Sequence, residues 1–283
     1  MVTAKQRKKM ERALYYGRLL AFVVAGTAML FSGVAGAEAI KIGGTGNALG
    51  TMRLLANAFG KQNPSIKVTV LPSMGSSGAI KAVPKGVLDI GLSARPLTEE
   101  EGKLGAIAVE YARTALVFAV STKTKVRALT LDQVAEIYSG KMVTWPDGSQ
   151  IRPILRQAGD DNTLHVRQMS PALDKALTVA AQRTGLPFAT NDQEAADKTE
   201  SVMGAMGVTT LSLIKSENRQ LRALTLDGVE PTLGNIASGK YPHLKRYFLI
   251  TQPKQSVAVK QFIAFMKSPA GRKILNRAGN TIP

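Results

Sequence analysis

The chain has no cysteine, two histidines and one tryptophan, and aromatic residues make up only 5% of its 283 positions. Without cysteine there can be no disulfide, thiol nucleophile or thiolate metal site, so a large apolar core must hold the fold unaided. His165 and His243 stand apart from any carboxylate-rich ligand spacing, so no metal is expected and both read as surface residues. With so few aromatics there is no stacking platform for bases, and Lys and Arg are scattered along the chain, so nucleic-acid binding is not expected. No nucleophile with an adjacent base is visible either, which argues against an enzyme and against any cofactor. After residue 37 no apolar run is long enough to span a bilayer.

The N-terminal segment has its own pattern. Lys5, Arg7, Lys8, Lys9, Arg12 and Arg18 precede an apolar run from Leu19 to Phe31, and small residues close it as Ala35-Gly36-Ala37. That order predicts a secretory signal peptide over residues 1–37, cleaved after Ala37, and hence a periplasmic or otherwise extracytoplasmic protein. An uncleaved signal anchor is the alternative, and the missing lipobox cysteine argues against a lipid tether. Without the leader, 31 basic residues face 19 acidic ones, an excess of twelve positive charges that favours small anionic ligands.

The rest of the chain alternates strands and helices. Ile40 to Ile42 reads as a strand, Gly43 to Asn47 as a glycine-rich loop, and Leu49, Met52, Ala56 and Phe59 as one apolar helix face. Ile66 to Val70 is a second strand, Gly75-Ser76-Ser77-Gly78 opens a second helix, and Val87 to Leu92 is a third strand. The order predicts an open, mainly parallel α/β sheet. Ala115 to Val120 is a continuous apolar strand able to cross between two lobes. Thr130 and Gln133 form a capping box for a helix that Gly140 ends. Ile151 to Leu155 leads as a strand into Arg156 and the turn Gly159-Asp160-Asp161-Asn162. Trp145 reads as packed in a turn and Asp89 as structural. The hexapeptide Arg-Ala-Leu-Thr-Leu-Asp occurs at 127–132 and again at 222–227; with no longer period it reads as coincidence.

Three loops have the composition of anion cradles: Gly43 to Leu49, Met74 to Gly78 and Arg156 to Thr163. Each lies where a strand gives way to a helix, so unpaired N–H groups and the positive helix end can face one point. Arg156 adds a fixed charge with a planar fork of donors suited to oxyanions.

Gly75-Ser76-Ser77-Gly78-Ala79-Ile80, Gly86 to Leu97, Leu131 to Lys141 with Trp145, and Gly204 to Val208 together resemble the matching segments of phosphate-binding proteins of ABC transporters. The resemblance implies a two-lobed type II periplasmic-binding fold. Each lobe would be a mainly parallel sheet flanked by helices, with two crossing strands as hinge. Lobe 1 is expected at residues 38–118 plus 248–283 and lobe 2 at 119–247. It also implies a monomer that captures phosphate or a similar oxyanion and delivers it to an ABC permease. An oxyanion-sensing or adhesion module on the same fold is the alternative, and a phosphatase-like enzyme a weaker one.

Carried over by position, Ser76, Ser77 and Gly78 match the family's cradle, Leu49 a position whose N–H is used, and Arg156 the anion-pairing arginine. Ala48 departs from the usual hydroxyl, which Thr45 beside Gly46 could replace. Ala94 stands where many members carry the aspartate that accepts the ligand's proton. Asp160 or Asp161 would take that acceptor role, or both merely cap the following helix. Arg95 is assigned to the cleft, and Asp161, Asn162 and Thr163 complete the expected ligand set.

Overall fold

The computed structural model describes residues 38–283, with Lys5 the one described position before them. The expected signal peptide and its cleavage after Ala37 therefore lie outside the described residues.

The strands are β1 (Glu38–Gly44), β2 (Ile66–Val70), β3 (Ile90–Ser93), β4 (Ile107–Ser121), β5 (Ala128–Leu129), β6 (Arg152–Pro153), β7 (Ala205–Thr210), β8 (Leu221–Ala223), β9 (Thr225–Leu226) and β10 (Leu244–Thr251). The helices are α1 (Gly46–Gln62), α2 (Gly75–Ala82), α3 (Glu99–Gly102), α4 (Leu131–Ser139), α5 (Asp161–Met169), α6 (Pro171–Gln182), α7 (Asp192–Ser201), α8 (Leu211–Ser216), α9 (Leu233–Ala237), α10 (Val257–Lys267) and α11 (Pro269–Arg277). Local signals placed several of their ends. Thr130 and Gln133 close a reciprocal capping box on α4, Gly140 ends that helix at φ 81°, and Ser268 caps α11 ahead of Pro269.

The strands form one path in the order β2-β1-β3-β10-β4-β7-β6, with β8 beside β4. β1 runs parallel to β3, and β6 parallel to β7. β10 runs antiparallel to β3 and β4, and β4 antiparallel to β7 and β8. β4 is the pivot: through Ala115 it pairs with β10, and from Leu116 to Val120 with β7. The apolar core divides at the same place. One cluster draws on Ile40, Leu49, Phe59, Tyr247 and Phe262, and the other on Leu116, Phe118, Tyr138, Trp145 and Met206. In the first, the Phe59 and Phe262 rings meet edge to face at 5.2 Å. In the second, the buried Trp145 Nε1–H donates to Gly204 O at 3.0 Å, the packed turn the sequence suggested.

The repeated hexapeptide is not used as a structural repeat: Ala128 faces Thr225 and Leu129 faces Leu226, so equivalent positions of the copies do not pair. Its two copies lie side by side: β5 pairs in parallel with β9, and Asp227 Oδ1 of the second copy accepts Leu131 N–H of the first at 3.0 Å.

The histidines are not the surface residues they seemed. His165 and His243 are half-buried, and burial, reinforced by Lys245 and then His243, pushes the His165 imidazole down to about 4. A histidine lowered in the folded state binds fewer protons there than in the unfolded chain between about pH 4 and 6.5, so stability rises with pH across that window. Urea unfolding should therefore register a loss of about 1–2 kcal/mol on going from about pH 7 to about pH 4.5, after discounting for solvent screening. His165→Gln should flatten most of that slope; an unchanged slope would assign it elsewhere.

Candidate functional site

A cleft of about 460 Å³ opens between the two cores, lined among others by Thr45, Asn47, Ser76, Ser77, Arg156, Asp161 and Asp192. Two helices begin at it without a side-chain cap. Thr45 precedes α1 and Met74 precedes α2, and neither side chain accepts a bond from its own helix start. Their first N–H groups are therefore left for partners outside the helix. α5 is different, because Asp160 caps it by accepting Asn162 N–H at 3.1 Å and Thr163 N–H at 3.2 Å.

Arg156 lies at the centre, with only 9% of its side chain exposed. Its Nη2 donates to Asp160 Oδ1 at 2.5 Å and its Nη1 to Asp192 Oδ1 at 2.9 Å. Its buried Nε has no partner among the described residues, and the residue also lines a small cavity with Tyr138, Asn162, Thr163 and Val166. Burial raises the Asp160 carboxyl above its usual range, Arg156 opposes that rise and Asp192 adds to it. The alternatives left open for the two aspartates thus separate. Asp160 is the cap, while Asp161 reaches across the cleft and accepts a hydrogen bond from the Ser76 hydroxyl. Ser76 Oγ in turn accepts Ala94 N–H at 3.0 Å, so Ala94 borders the site through its backbone.

The remaining expected residues divide by location. Thr45 is buried on the cleft wall, Gly46 abuts Asp192 and Gln193, and Ser77 lines the rim. Asn162 is buried and accepts Asn47 Nδ2–H at 3.3 Å. Thr163 faces the small cavity behind Arg156 instead of the main cleft. Leu49 is buried in the core cluster of Ile40 and Phe59, which leaves its N–H as the only group it could offer. Gly78 does not itself line the cleft; it lies behind Met74, which does. Arg95 is committed elsewhere: its two Nη groups grip Glu101 at 2.7 and 2.8 Å, and it meets the rim only through Ser77 Oγ at 3.0 Å. That pairing is the main reason the Glu101 carboxyl is lowered to about 2.

Sequence reasoning missed two charged residues here. Asp192, at the start of α7, accepts Asn47 N–H at 3.0 Å and Asn162 Nδ2–H at 3.2 Å, besides pairing with Arg156. Lys245, on β10, is 3% exposed, and its ammonium makes no hydrogen bond or ion pair among the described residues. Burial lowers its affinity for a proton, and Asp161, Asp192 and Asp160 counter that. Two residues on, Tyr247 Oη donates to Asn47 O at 3.2 Å, tying β10 to the start of α1. The cleft thus brings together helix-start N–H groups, hydroxyls, one guanidinium and carboxylate acceptors. Such a set suits a small, partly protonated oxyanion.

Comparison with known proteins agrees with this geometry. Residues 32–270 match the family model of the PBP superfamily domain. Over 251 residues, covering 85% of this chain and 88% of the relative, the sequence is 27% identical to the phosphate-binding protein PstS of Borreliella burgdorferi. A structure from Clostridium perfringens, assigned as a phosphate ABC transporter substrate-binding protein and solved with bound phosphate, superposes with a TM-score of 0.72 at 22% identity, covering 87% of this chain and all of that one. The periplasmic molybdate-binding protein of Azotobacter vinelandii superposes with a TM-score of 0.61 at 22% identity, covering 86% of this chain and 99% of that one. The two structural likenesses speak for the fold.

Proposed function

Since the chain belongs to the PBP superfamily, we propose that it is an extracytoplasmic solute-binding protein that captures phosphate, or a similar oxyanion, in the cleft and delivers it to an ABC permease. The observation that carries this reading is the meeting of the starts of α1 and α2, neither capped by the residue that precedes it, with the Arg156 guanidinium at one cavity. The name of the Borreliella relative and the phosphate bound in the Clostridium structure support the choice of ligand. The basic-then-apolar leader supports export. Among the described residues no helix is long and apolar enough to cross a membrane.

We read the chain as two lobes hinged where β4 changes partner, at Ala115 and Leu116, and at the facing start of β10. That sets the lobe limits three or four residues before those expected from sequence. Ligand contacts are assigned to Thr45, Gly46, Leu49, Ser76, Ser77, Asp161 and Asn162 with Arg156. The N–H groups of α2 and the Ser76 hydroxyl donate, and Asp161 accepts the ligand's own proton. Capture rather than catalysis is favoured because the Borreliella relative and the Clostridium structure are both named as binding proteins. Calorimetric titration of the mature chain with phosphate, sulfate and molybdate is expected to give saturable binding, strongest for phosphate. No binding of any of the three, or turnover of an aryl phosphate ester, would remove this reading.

A further inference from the structure

Arg156 has little left to offer an incoming anion. Asp160 engages one Nη and Asp192 the other. A ligand can reach the fork only if one carboxylate withdraws, and the two are held differently. Asp160 also caps α5 through Asn162 and Thr163 N–H, so its departure would uncap a helix. Asp192 has no capping duty, because α7 is capped by Asn191, whose Oδ1 accepts Glu194 N–H at 2.9 Å. Of the three donors to Asp192, Asn47 N–H at the start of α1 and Arg156 line the cleft, and the third, Asn162 Nδ2–H on α5, is buried beside the small cavity at Arg156. The first turn of α1 has no acidic residue of its own, so the carboxylate that meets its positive end comes from 145 residues further along the chain. Beside it, Gln193 Nε2–H donates to Gly46 O at 2.9 Å, a second bond between the starts of α7 and α1.

We propose that Asp192 is an internal stand-in for the captured oxyanion: without phosphate its carboxylate latches the cleft across Asn47, Asn162 and Arg156, and capture exchanges that carboxylate for the ligand. The proposal rests on reading the cleft as an oxyanion site. A carboxylate fixed to the same chain competes at an effective concentration on the order of millimolar, so affinity for phosphate is set by how much better phosphate satisfies the shared donors. Phosphate has the means to win. A tetrahedral anion has more acceptor oxygens than a carboxylate and can also engage the uncapped start of α2, which Asp192 does not touch.

The test pairs a ligand-independent readout with a ligand-dependent one, on the mature wild type, Asp192→Ala and the isosteric Asp192→Asn, with circular dichroism as the folding control. Without phosphate, hydrogen exchange at the Asn47 amide should be slow in the wild type and about tenfold or more faster in Asp192→Ala, with an increase in the radius of gyration by solution scattering. Calorimetry should then show phosphate binding about tenfold tighter in Asp192→Ala, with Asp192→Asn between the two. Unchanged Asn47 exchange, or weaker phosphate binding by the folded variants, would overturn the proposal. Faster exchange and opening with no phosphate binding by any of the proteins would leave the latch standing and reject the oxyanion reading. Should Asp192→Ala fail to fold, Asp192→Asn decides by the same two measurements.

Discussion

Exchange of Arg156 for methionine is expected to eliminate measurable phosphate binding, a loss of about a hundredfold or more. The same change should cost about 3–5 kcal/mol of folding stability, because Asp160 and Asp192 would lose the cation they share in a buried site. The two effects are separable by pH. Arg156 opposes the burial that raises the Asp160 carboxyl, so its removal raises that group further. A carboxyl raised in the folded state favours folding at low pH and loses that contribution as the pH climbs through its folded value. Urea unfolding of Arg156→Met should accordingly show a larger deficit against the wild type at about pH 7.5 than at about pH 5. The binding loss should persist at both, since methionine restores no donor. Affinity within about tenfold of the wild type would make the guanidinium a clamp for two aspartates and no part of ligand capture.

What could be read from sequence was local. The strand and helix within Ile40 to Phe59, the box at Thr130 and Gln133, and the Ser268-Pro269 start each depend on residues a few positions apart, and each is where it was expected; the glycine loop expected at Gly43 to Asn47 shrinks to Thr45, because β1 runs on to Gly44 and α1 starts at Gly46. Errors arose where pairing depends on distant chain. β4 begins at Ile107, eight residues before the apolar run at Ala115, because only its second half is buried on both faces; the first half is partly exposed, with β10 as its ladder partner. The strand expected from Ile151 to Leu155 contracts to Arg152–Pro153 beside β7: Ile154 N–H still donates to Met206 O at 2.8 Å, but Leu155 N–H turns to Pro187 O, also at 2.8 Å.

The site divides the same way. Ser76 and Arg156 could be found because they sit in short motifs, whereas Asp192 reaches Asn47 from 145 residues away and looked like an ordinary helix-start aspartate beside its true cap, Asn191. Lys245 did carry a signal. It alternates with Tyr247 on the buried face of a strand, where a lysine needs counter-charges, and that should have pointed to the aspartates of the cleft.

Gly46→Ala should separate folding from capture within one residue. Gly46 opens α1 with a backbone that alanine can adopt, so the helix itself should tolerate the change. The obstacle lies across the cleft: a Cβ at this position would stand 2.5 Å from Gln193 Oε1, 2.7 Å from Asp192 Oδ2 and 2.8 Å from Asp192 Cβ. The first two contacts are side-chain ends that can swing aside. The third is fixed to the α7 backbone and can be relieved only if the starts of α1 and α7 move apart. Closure is therefore penalised while each core stays intact. The expected outcome is an unchanged urea midpoint with phosphate affinity lower by about a hundredfold, against a control, Gly60→Ala in the same helix, where an added Cβ meets nothing within 4 Å. Gly46→Ala and Asp192→Ala should both loosen the cleft without ligand, yet change phosphate affinity in opposite directions. The first keeps the carboxylate and blocks the closed geometry, whereas the second removes the carboxylate and leaves that geometry open to the ligand. Equal affinities for Gly46→Ala and the wild type would mean that capture does not require the α1 and α7 starts to meet, and the cleft would have to close on its ligand by other contacts.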